Sequence, residues 1–594
     1  MIQMKKATLK FISLVLSVLL LVSIVPLSVF AAEEDPTFIY VEKTSQEGGV
    51  ADYRYVDENG NEVATESNEL GCQSVSLPSK YSAVDAGYVT APKYQNTTGV
   101  CWAFSAMSLL ESDSIKKGYK TLSQADYSEA HHVWFTGRGL AQDENDLAYG
   151  DGYAIDEPYN QGGNWRISAA SLARWSGAAN EIEFPFYGSN TDSMSNYDES
   201  ERYNNSSGVI LESAQEFTSM ADIKQWIIDH GSVTAAFYYD DGFFNSSSNA
   251  YYNETSDVIN HQIVIVGWDD SFSVSGFNAD CAPSGNGAWL CKNSWSQYWG
   301  DGGYFWISYY DASIRLFAGY SVQKSEDYYK NYTYNGAEWY SAFQFSDAHQ
   351  VANVFTASGY ESLSAIAVQT FGDLTEIEVI IYKNISSGYT SPIQGTQACK
   401  FSAELKNTGY HTVYLDSPVA LEPNEIFSVV VEYYNPNGDT AIPVEAAASD
   451  GLSYSCRAGE SYINASSTGN SWREVSKQGG YNVYVQAMTK CNHQLDSQIK
   501  AATCTESGYE KIYCTQCGSV EAERTLDKTG HSYGEWSEYT YSVEDGKRIS
   551  TSTCVNCGDC MKRGYYTNNI ITLDKLMELI MVKFREVLKT IFTL

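Results

Sequence analysis

Basic residues are scarce. Thirty-eight lysines and arginines stand against 73 aspartates and glutamates, a formal net charge of −35 over 594 residues. Nucleic acid and anionic membrane are thereby excluded as the main partner, because each needs a basic face to neutralise phosphate. Helix-forming Lys, Leu and Glu are modest while tyrosine reaches 46, a mix that suits β-rich extracellular domains, where aromatics pack on pleated surfaces. The length exceeds what one hydrophobic core organises, so several modules are expected.

The N-terminus reads as an address. Lys5, Lys6 and Lys10 precede an uncharged apolar stretch from Phe11 to Phe30, with a small-residue exit at Ala31 and Ala32. This is the pattern of a secretory signal over residues 1–32, the alternative being a retained membrane anchor. Residues 33–76 form an acidic, turn-rich leader, with Asp57-Glu58-Asn59-Gly60 suggesting a hairpin. Residues 77–325 mix helix and strand signals. A helix opens at Cys101 and stops at Lys116-Lys117-Gly118, a basic last turn followed by glycine. Over residues 335–490 short strands alternate with polar turns, as in Glu376–Tyr382 and Phe427–Tyr433, the texture of a β-sandwich. A Cys/His-rich segment follows over 491–562 and an amphipathic stretch over 563–594.

Thirteen cysteines leave at least one thiol outside any intramolecular disulfide framework. A nucleophile accounts for one. Cys101 begins Cys101-Trp102-Ala103-Phe104-Ser105, so the positive end of a helix dipole lies beneath its sulfur and favours thiolate. Gln95, six residues earlier in a turn with Gly99, offers a side-chain amide to join the Cys101 backbone N–H as an oxyanion hole. Acyl transfer also needs a base and a group that orients it. His261 heads a strand, and Asn293 lies in Leu290-Cys291-Lys292-Asn293-Ser294-Trp295. Cys281 and Cys291 flank the turn Ser284-Gly285-Asn286-Gly287, as a disulfide or as two thiols.

These motifs resemble the papain family of cysteine peptidases: Gln95, five residues, then Cys-Trp-Ala-Phe-Ser; a strand-borne His261; and Asn293-Ser294-Trp295. Leu77-Pro78 looks like the family's mature N-terminal segment, and Leu122-Ser123 resembles its Leu-Ser before the next helix. The resemblance implies an α+β fold with two lobes and a cleft, hydrolysis of protein or peptide substrates through an acyl-enzyme on Cys101, and no cofactor for catalysis. It also implies that Gly162 and Gly163 bind substrate backbone and that Trp295 shields the Asn293–His261 bond. Two departures are coupled: Thr98 and Asn160 stand where the family has a bridged cysteine pair. The separation of Cys101 from His261 exceeds the roughly 130 to 150 residues usual there, which a polar insertion around residues 187–207, read as a surface loop, explains. The leader is shorter than the usual family pro-segment and lacks its long amphipathic helix.

Residues from Val351-Ala352-Asn353-Val354-Phe355 onward resemble the lectin-like domain that follows such proteases in clostridial-type cell-wall enzymes. That implies a cell-surface bacterial enzyme whose sandwich binds cell-wall glycan or serves as a spacer; no acidic cluster for calcium can be assigned. Behind it His493, Cys504, Cys514 and Cys517 supply one imidazole and three thiolates for a structural zinc. A second unit, with His531, Cys554 and Cys557, lacks the middle cysteine, for which Cys560 is the substitute; outside the cell disulfides compete. The last segment has helical spacing at Leu573, Leu576, Met577, Ile580, Phe584, Val587, Leu588 and Ile591, for a peripheral membrane contact or packing on the preceding module. The rival to the enzyme is a non-catalytic surface adhesin on a protease fold, and a further alternative is a wall amidase with the same Cys–His chemistry.

Overall fold

The computed structural model describes residues 36–47, 49–63, 77–140, 147–148, 151–255, 258–445, 452–466, 470–478, 480–566 and 573–591. The signal segment 1–32 and Cys72 lie outside these residues. The chain divides into two compact units, Met1–Asn492 and His493–Leu594.

In the first unit the helix Cys101–Lys116 is the spine of a helical lobe, buried from Cys101 to Ser114. Small residues at Ala103, Ser105, Ala106 and Ser108 let neighbours approach on every side. It ends as its sequence indicates, with Lys117 as cap and Gly118 at φ 70°. Around it lie Glu129–Thr136, capped by the Ser128 hydroxyl accepting the His131 N–H at 3.0 Å, and Trp165–Ala173, capped by Asn164 Oδ1 accepting the Arg166 N–H at 2.9 Å. The other lobe is antiparallel sheet. His261–Asp269, buried over its first eight residues, pairs with Val233–Phe237 on one side and Ala288–Lys292 on the other. Trp268, Trp289, Phe237 and Met107 share the core between the lobes.

The sandwich is present. Leu374–Ile385, Ile426–Tyr434 and His349–Thr356 are central strands of a six-stranded sheet. They pack through Val379, Val429 and Phe355 on Leu363, Ile366 and Val485 of the opposing strands. That opposing sheet runs on without a break into the peptidase lobe, because Gly409, Tyr410 and His411 pair with Gln215, Ala214 and Ser213. The seam requires glycine: a Cβ on Gly409 would lie 2.0 Å from the Ala214 carbonyl oxygen.

The leader is a hairpin, Thr37–Glu47 against Val50–Asp57. Beyond its second strand Asp57–Gly60 forms a further turn, with the Asp57 carboxylate accepting the Asn59 and Asn61 N–H groups at 2.8 Å. The hairpin forms the edge of a separate five-stranded sheet by pairing Tyr40 with Ser341 and Phe38 with Phe343. Ile39, Tyr53 and Tyr55 close a cluster with Trp339 and Phe371. The insertion around 187–207 differs from a plain surface loop. Met194 and Arg202 in it are fully buried, the Arg202 guanidinium donating to the Phe135 and Gly139 carbonyls at 2.8 and 2.9 Å.

The second unit holds two three-stranded sheets, Leu495–Lys500, Gly508–Cys514 and Val520–Leu526, then Thr540–Ser542, Lys547–Thr553 and Cys560–Tyr565. The helix Leu573–Ile591 follows, with no buried residue.

Candidate active site

Cys101 occupies the first position of its helix, where backbone N–H groups have no intrahelical acceptor. Val100, as N-cap, provides no side-chain acceptor, so that electropositive end stays available to an anion. The Cys101 sulfur faces the backbone N–H of Gln262, the residue after His261. His261 Nε2 bonds Asn293 Oδ1 at 2.8 Å, and the same oxygen accepts the Ser294 N–H at 2.8 Å. The Trp295 ring stacks on His261 with centroids 4.5 Å apart and planes 22° apart. Water is thereby kept from the His–Asn bond, which is stronger for being dry.

Burial disfavours the charged form of both Cys101 and His261. Burial pushes the Cys101 thiol up to about 12, partly offset by the N–H groups around it. Burial pushes the His261 imidazole down to about 4, with the Asn293 bond opposing.

The Gln95 loop is zipped to the Asn293 loop. Gln95 N–H donates to the Ser294 carbonyl at 2.9 Å, and the Ser294 hydroxyl donates to Gln95 Oε1 at 2.5 Å. Gln95 Nε2 spends one N–H on the Thr98 carbonyl at 2.7 Å. Thr98 returns its hydroxyl to the Gln95 carbonyl at 2.6 Å, closing the turn that lacks a disulfide. Across the loop, Gly99 N–H donates to the Tyr159 carbonyl at 3.0 Å, so a backbone bond links the segments that a bridge would have joined. Asn160 turns away to Glu157 at 3.1 Å.

The leader runs through this cleft. Gly163 N–H donates to the Gly49 carbonyl at 3.1 Å, and Ala51 N–H donates to the Gly163 carbonyl at 3.0 Å. The Gly49 carbonyl oxygen lies 3.7 Å from Cys101 Sγ. The fit leaves no space for side chains: a Cβ on Gly49 would lie 3.0 Å from the Gly99 oxygen and 3.2 Å from Cys101 Sγ, and one on Gly162 would lie 2.8 Å from the Gly49 carbonyl carbon. Val50 is fully buried beside Cys101, Ala236 and Ile259. Farther along, Asp52 takes the Arg315 guanidinium, and the Tyr53 and Tyr55 hydroxyls meet the Glu216 carboxylate.

Beneath the Asn293 loop lies a polar network that sequence reasoning missed. Lys292 Nζ donates to Thr90 Oγ1 at 3.0 Å and Ser108 Oγ at 2.9 Å, while Lys93 bridges Glu111 at 3.0 Å and Glu129 at 2.9 Å. Burial pushes Lys292 down to about 8. The available signal was a lysine directly after the apolar run Trp289-Leu290-Cys291, on the same strand. Cys281 and Cys291 are not joined: their thiols point to the Tyr252 and Trp289 carbonyls.

The cysteine and histidine groups differ from the sequence reading. One group is Cys491, His493, Cys514 and Cys517; the other is Cys504, His531, Cys554 and Cys557. Within each, one ligand atom per residue lies within 4.8 Å of the others, a set able to hold a metal ion. Cys504 therefore does not join His493, Cys514 and Cys517, and Cys560, exposed, stands outside both groups. The physical reason is that the Thr503 carbonyl accepts the Thr529 N–H at 2.9 Å, which carries Cys504 to the second repeat. Cys491 sits two residues before His493, so chain continuity supplies it to the first group.

Residues 77–318 match the papain family cysteine protease, and residues 331–489 match the lectin like domain. The gamete and mating-type specific protein A of Dictyostelium discoideum is 26% identical over 240 residues, covering 39% of this chain and 43% of that protein. Cathepsin K of Mus musculus is 25% identical over 225 residues, covering 37% and 56%. The chain thus spans about half the length of these curated relatives. Among solved structures, the clostridial cysteine protease Cwp84 after propeptide cleavage superposes with a TM-score of 0.60 at 26% identity, covering 70% of this chain and all (100%) of that one. The protease and lectin-like domains of Cwp84, a surface layer associated protein of Clostridium difficile, superpose with a TM-score of 0.64 at 24% identity, covering 78% and 100%. The chain carries a papain-family cysteine protease domain over residues 77–318, followed by a lectin-like domain over residues 331–489.

Proposed function

We propose that the protein is a secreted or cell-surface cysteine endopeptidase, held latent in this state by its own leader. Cys101 as thiolate attacks the scissile carbonyl carbon. His261 takes the thiol proton and passes it to the leaving amine, which departs as the acyl thioester forms. Water then attacks the thioester, His261 again serving as base, and the carboxylate product leaves as Cys101 regains its proton. The Cys101 N–H and the Gln95 amide receive the oxyanion, and Asn293 holds the imidazole in the required tautomer. Gly162 and Gly163 hold extended substrate by backbone pairing, as Gly163 here holds Gly49 and Ala51.

The observation that carries the reading is the His261–Asn293 bond under Trp295, next to a cysteine on an uncapped helix N-terminus. Latency rests on the Gly49 carbonyl oxygen: the Gly163 N–H holds it, and the peptide fills the space a substrate would need. The test is labelling by an epoxide thiol inhibitor. Protein lacking residues 33–76 should be labelled, and Cys101→Ala should abolish labelling; absence of labelling from the shortened protein would refute the endopeptidase.

The likeness to Cwp84, itself described as a surface layer associated protein, favours retention at a bacterial surface, and the match to a lectin like domain favours glycan binding there. Among the described residues no helix is long and apolar enough to cross a membrane. Leu573–Ile591 exposes Leu576, Ile580, Phe584 and Val587, which suits peripheral contact with a membrane surface. The two cysteine and histidine groups we read as structural zinc sites, outside the hydrolytic chemistry.

A further inference from the structure

We propose that the Cys/His-rich segment over residues 491–562 holds an interleaved pair of Cys3His zinc sites, in which the first repeat surrenders Cys504 to complete the site of the second. The inference rests on the zinc reading above and is independent of the peptidase.

The two repeats share three corresponding backbone bonds. Cys514 N–H donates to the Ser519 carbonyl at 2.9 Å, and Cys554 N–H donates to the Asp559 carbonyl at 2.7 Å. Gly518 and Gly558, at φ 75° and 77°, close the two Cys-x-x-Cys turns onto the Cys514 and Cys554 carbonyls at 2.9 and 3.0 Å. Thr515 N–H donates to the Gln494 carbonyl, and Val555 N–H donates to the Ser532 carbonyl, both at 2.9 Å. Cys514 thus corresponds to Cys554, Cys517 to Cys557 and His493 to His531. The residue two before His493 is Cys491; the residue two before His531 is Thr529. The second repeat lacks its own fourth ligand at that position. The backbone bond from Thr529 N–H to the Thr503 carbonyl delivers Cys504 there instead.

The spacing suits zinc. Two thiolates bound about 2.3 Å from one tetrahedral ion stand about 3.8 Å apart. Cys504 Sγ and Cys554 Sγ are 3.7 Å apart, well beyond the roughly 2.05 Å of a disulfide. His531 Nδ1 lies 3.3 Å from Cys557 Sγ, and His493 Nδ1 lies 3.4 Å from Cys517 Sγ. On the far side of each ring stands a carboxylate: Glu521 lies 3.5 Å from His493 Nε2, and Asp559 lies 3.9 Å from His531 Nε2. A carboxylate behind a histidine is the usual outer support of a metal ligand, because it fixes which nitrogen faces the ion.

The unit also has little else to hold it. Among its described residues the only buried side chains of apolar class are Cys504, Cys514 and Cys554, joined by the buried Ser550 and Ser552. Strands such as Leu495–Lys500 and Cys560–Tyr565 are exposed throughout. A small module without an apolar core requires cross-links, and metal binding is then folding free energy.

Zinc per chain, measured on the full-length protein purified with zinc under reducing conditions, tests this. About two ions are expected, falling to one in Cys504→Ser and one in Cys554→Ser, and staying at two in Cys560→Ser. Adding Thr529→Cys to Cys504→Ser should restore the second ion, because it returns the fourth ligand to the position it holds in the first repeat. A wild-type chain with no zinc, or with disulfides in its unreduced mass, would overturn the zinc reading itself. Two ions in Cys504→Ser, a loss in Cys560→Ser, or failure of Thr529→Cys to restore the count would overturn the exchange while leaving zinc in place. Cobalt substitution of the unaltered protein gives a check free of folding defects: three thiolates on each of two tetrahedral ions are expected, and a spectrum without thiolate charge transfer would refute both statements.

Discussion

The backbone N–H of Gly163 donates to the carbonyl oxygen of Gly49 at 3.1 Å, seating the leader peptide on the segment proposed to hold substrate backbone. The contact tolerates no side chain, since a Cβ at Gly49 meets the Gly99 oxygen and the Cys101 sulfur at 3.0 and 3.2 Å. Gly49→Leu should therefore unseat the crossing of the hairpin. Overpacking of this kind costs about 1–3 kcal/mol, or roughly 5- to 150-fold in the closed-to-open ratio. The rate of epoxide labelling of the full-length chain should rise by that factor. An unchanged rate would mean that the leader does not guard Cys101.

Acid should loosen the same contact. With the leader seated, His261 titrates at about 4, against about 6.5 for an unperturbed histidine. The seated state therefore binds fewer protons than the open one between these values. Leader affinity is fully present above about pH 6.5 and falls by up to about tenfold per unit as pH drops toward 4, below which both states are protonated and the loss levels off. A leader peptide added to protein lacking residues 33–76 gives the measurement, as inhibition constant against pH. Binding that strengthens on acidification would contradict this sign.

Much of this was legible in the sequence, and the misses share one cause. The helix stop at Lys116-Lys117-Gly118 and the strand at His261 follow from local residue order, which local rules describe. So does the sandwich, whose alternating runs at Glu376–Tyr382 and Phe427–Tyr433 lie within Leu374–Ile385 and Ile426–Tyr434. Contacts between distant residues were not legible. Nothing near Gly49 indicates that it meets Gly163, 114 positions away by number. Arg202 sits among polar residues and reads as surface, yet its guanidinium fills a buried set of carbonyls. Along the chain Cys504 lies between His493 and Cys514, whereas one backbone bond from Thr529 gives it to the next repeat.

Gln95 separates transition-state stabilisation from binding. Its amide is fixed by Ser294 and Thr98, so it stands ready before substrate arrives. Removing one donor from an oxyanion hole costs roughly 10²–10³ in kcat. Gln95→Ala, in protein freed of its leader, should lose about that much in kcat with KM nearly unchanged. Steady-state kinetics on one peptide decides it; a rise in KM at constant kcat would place Gln95 in substrate binding instead.

The continuous sheet makes a stability prediction far from the cleft. Gly409 and Ala214 approach so closely that an added Cβ would sit 2.0 Å from a carbonyl oxygen, which cannot yield as a flexible side chain would. Gly409→Ala must part the strands that join the lectin-like sheet to the peptidase lobe, at a cost of about 1–3 kcal/mol. For units of this size each kcal/mol lowers Tm by about 2–4 °C. Calorimetry should show a drop of several degrees, or the splitting of one transition into two as the lobes uncouple. An unshifted single transition would show that the seam at residues 213–215 and 409–411 carries no part of the coupling between the two domains.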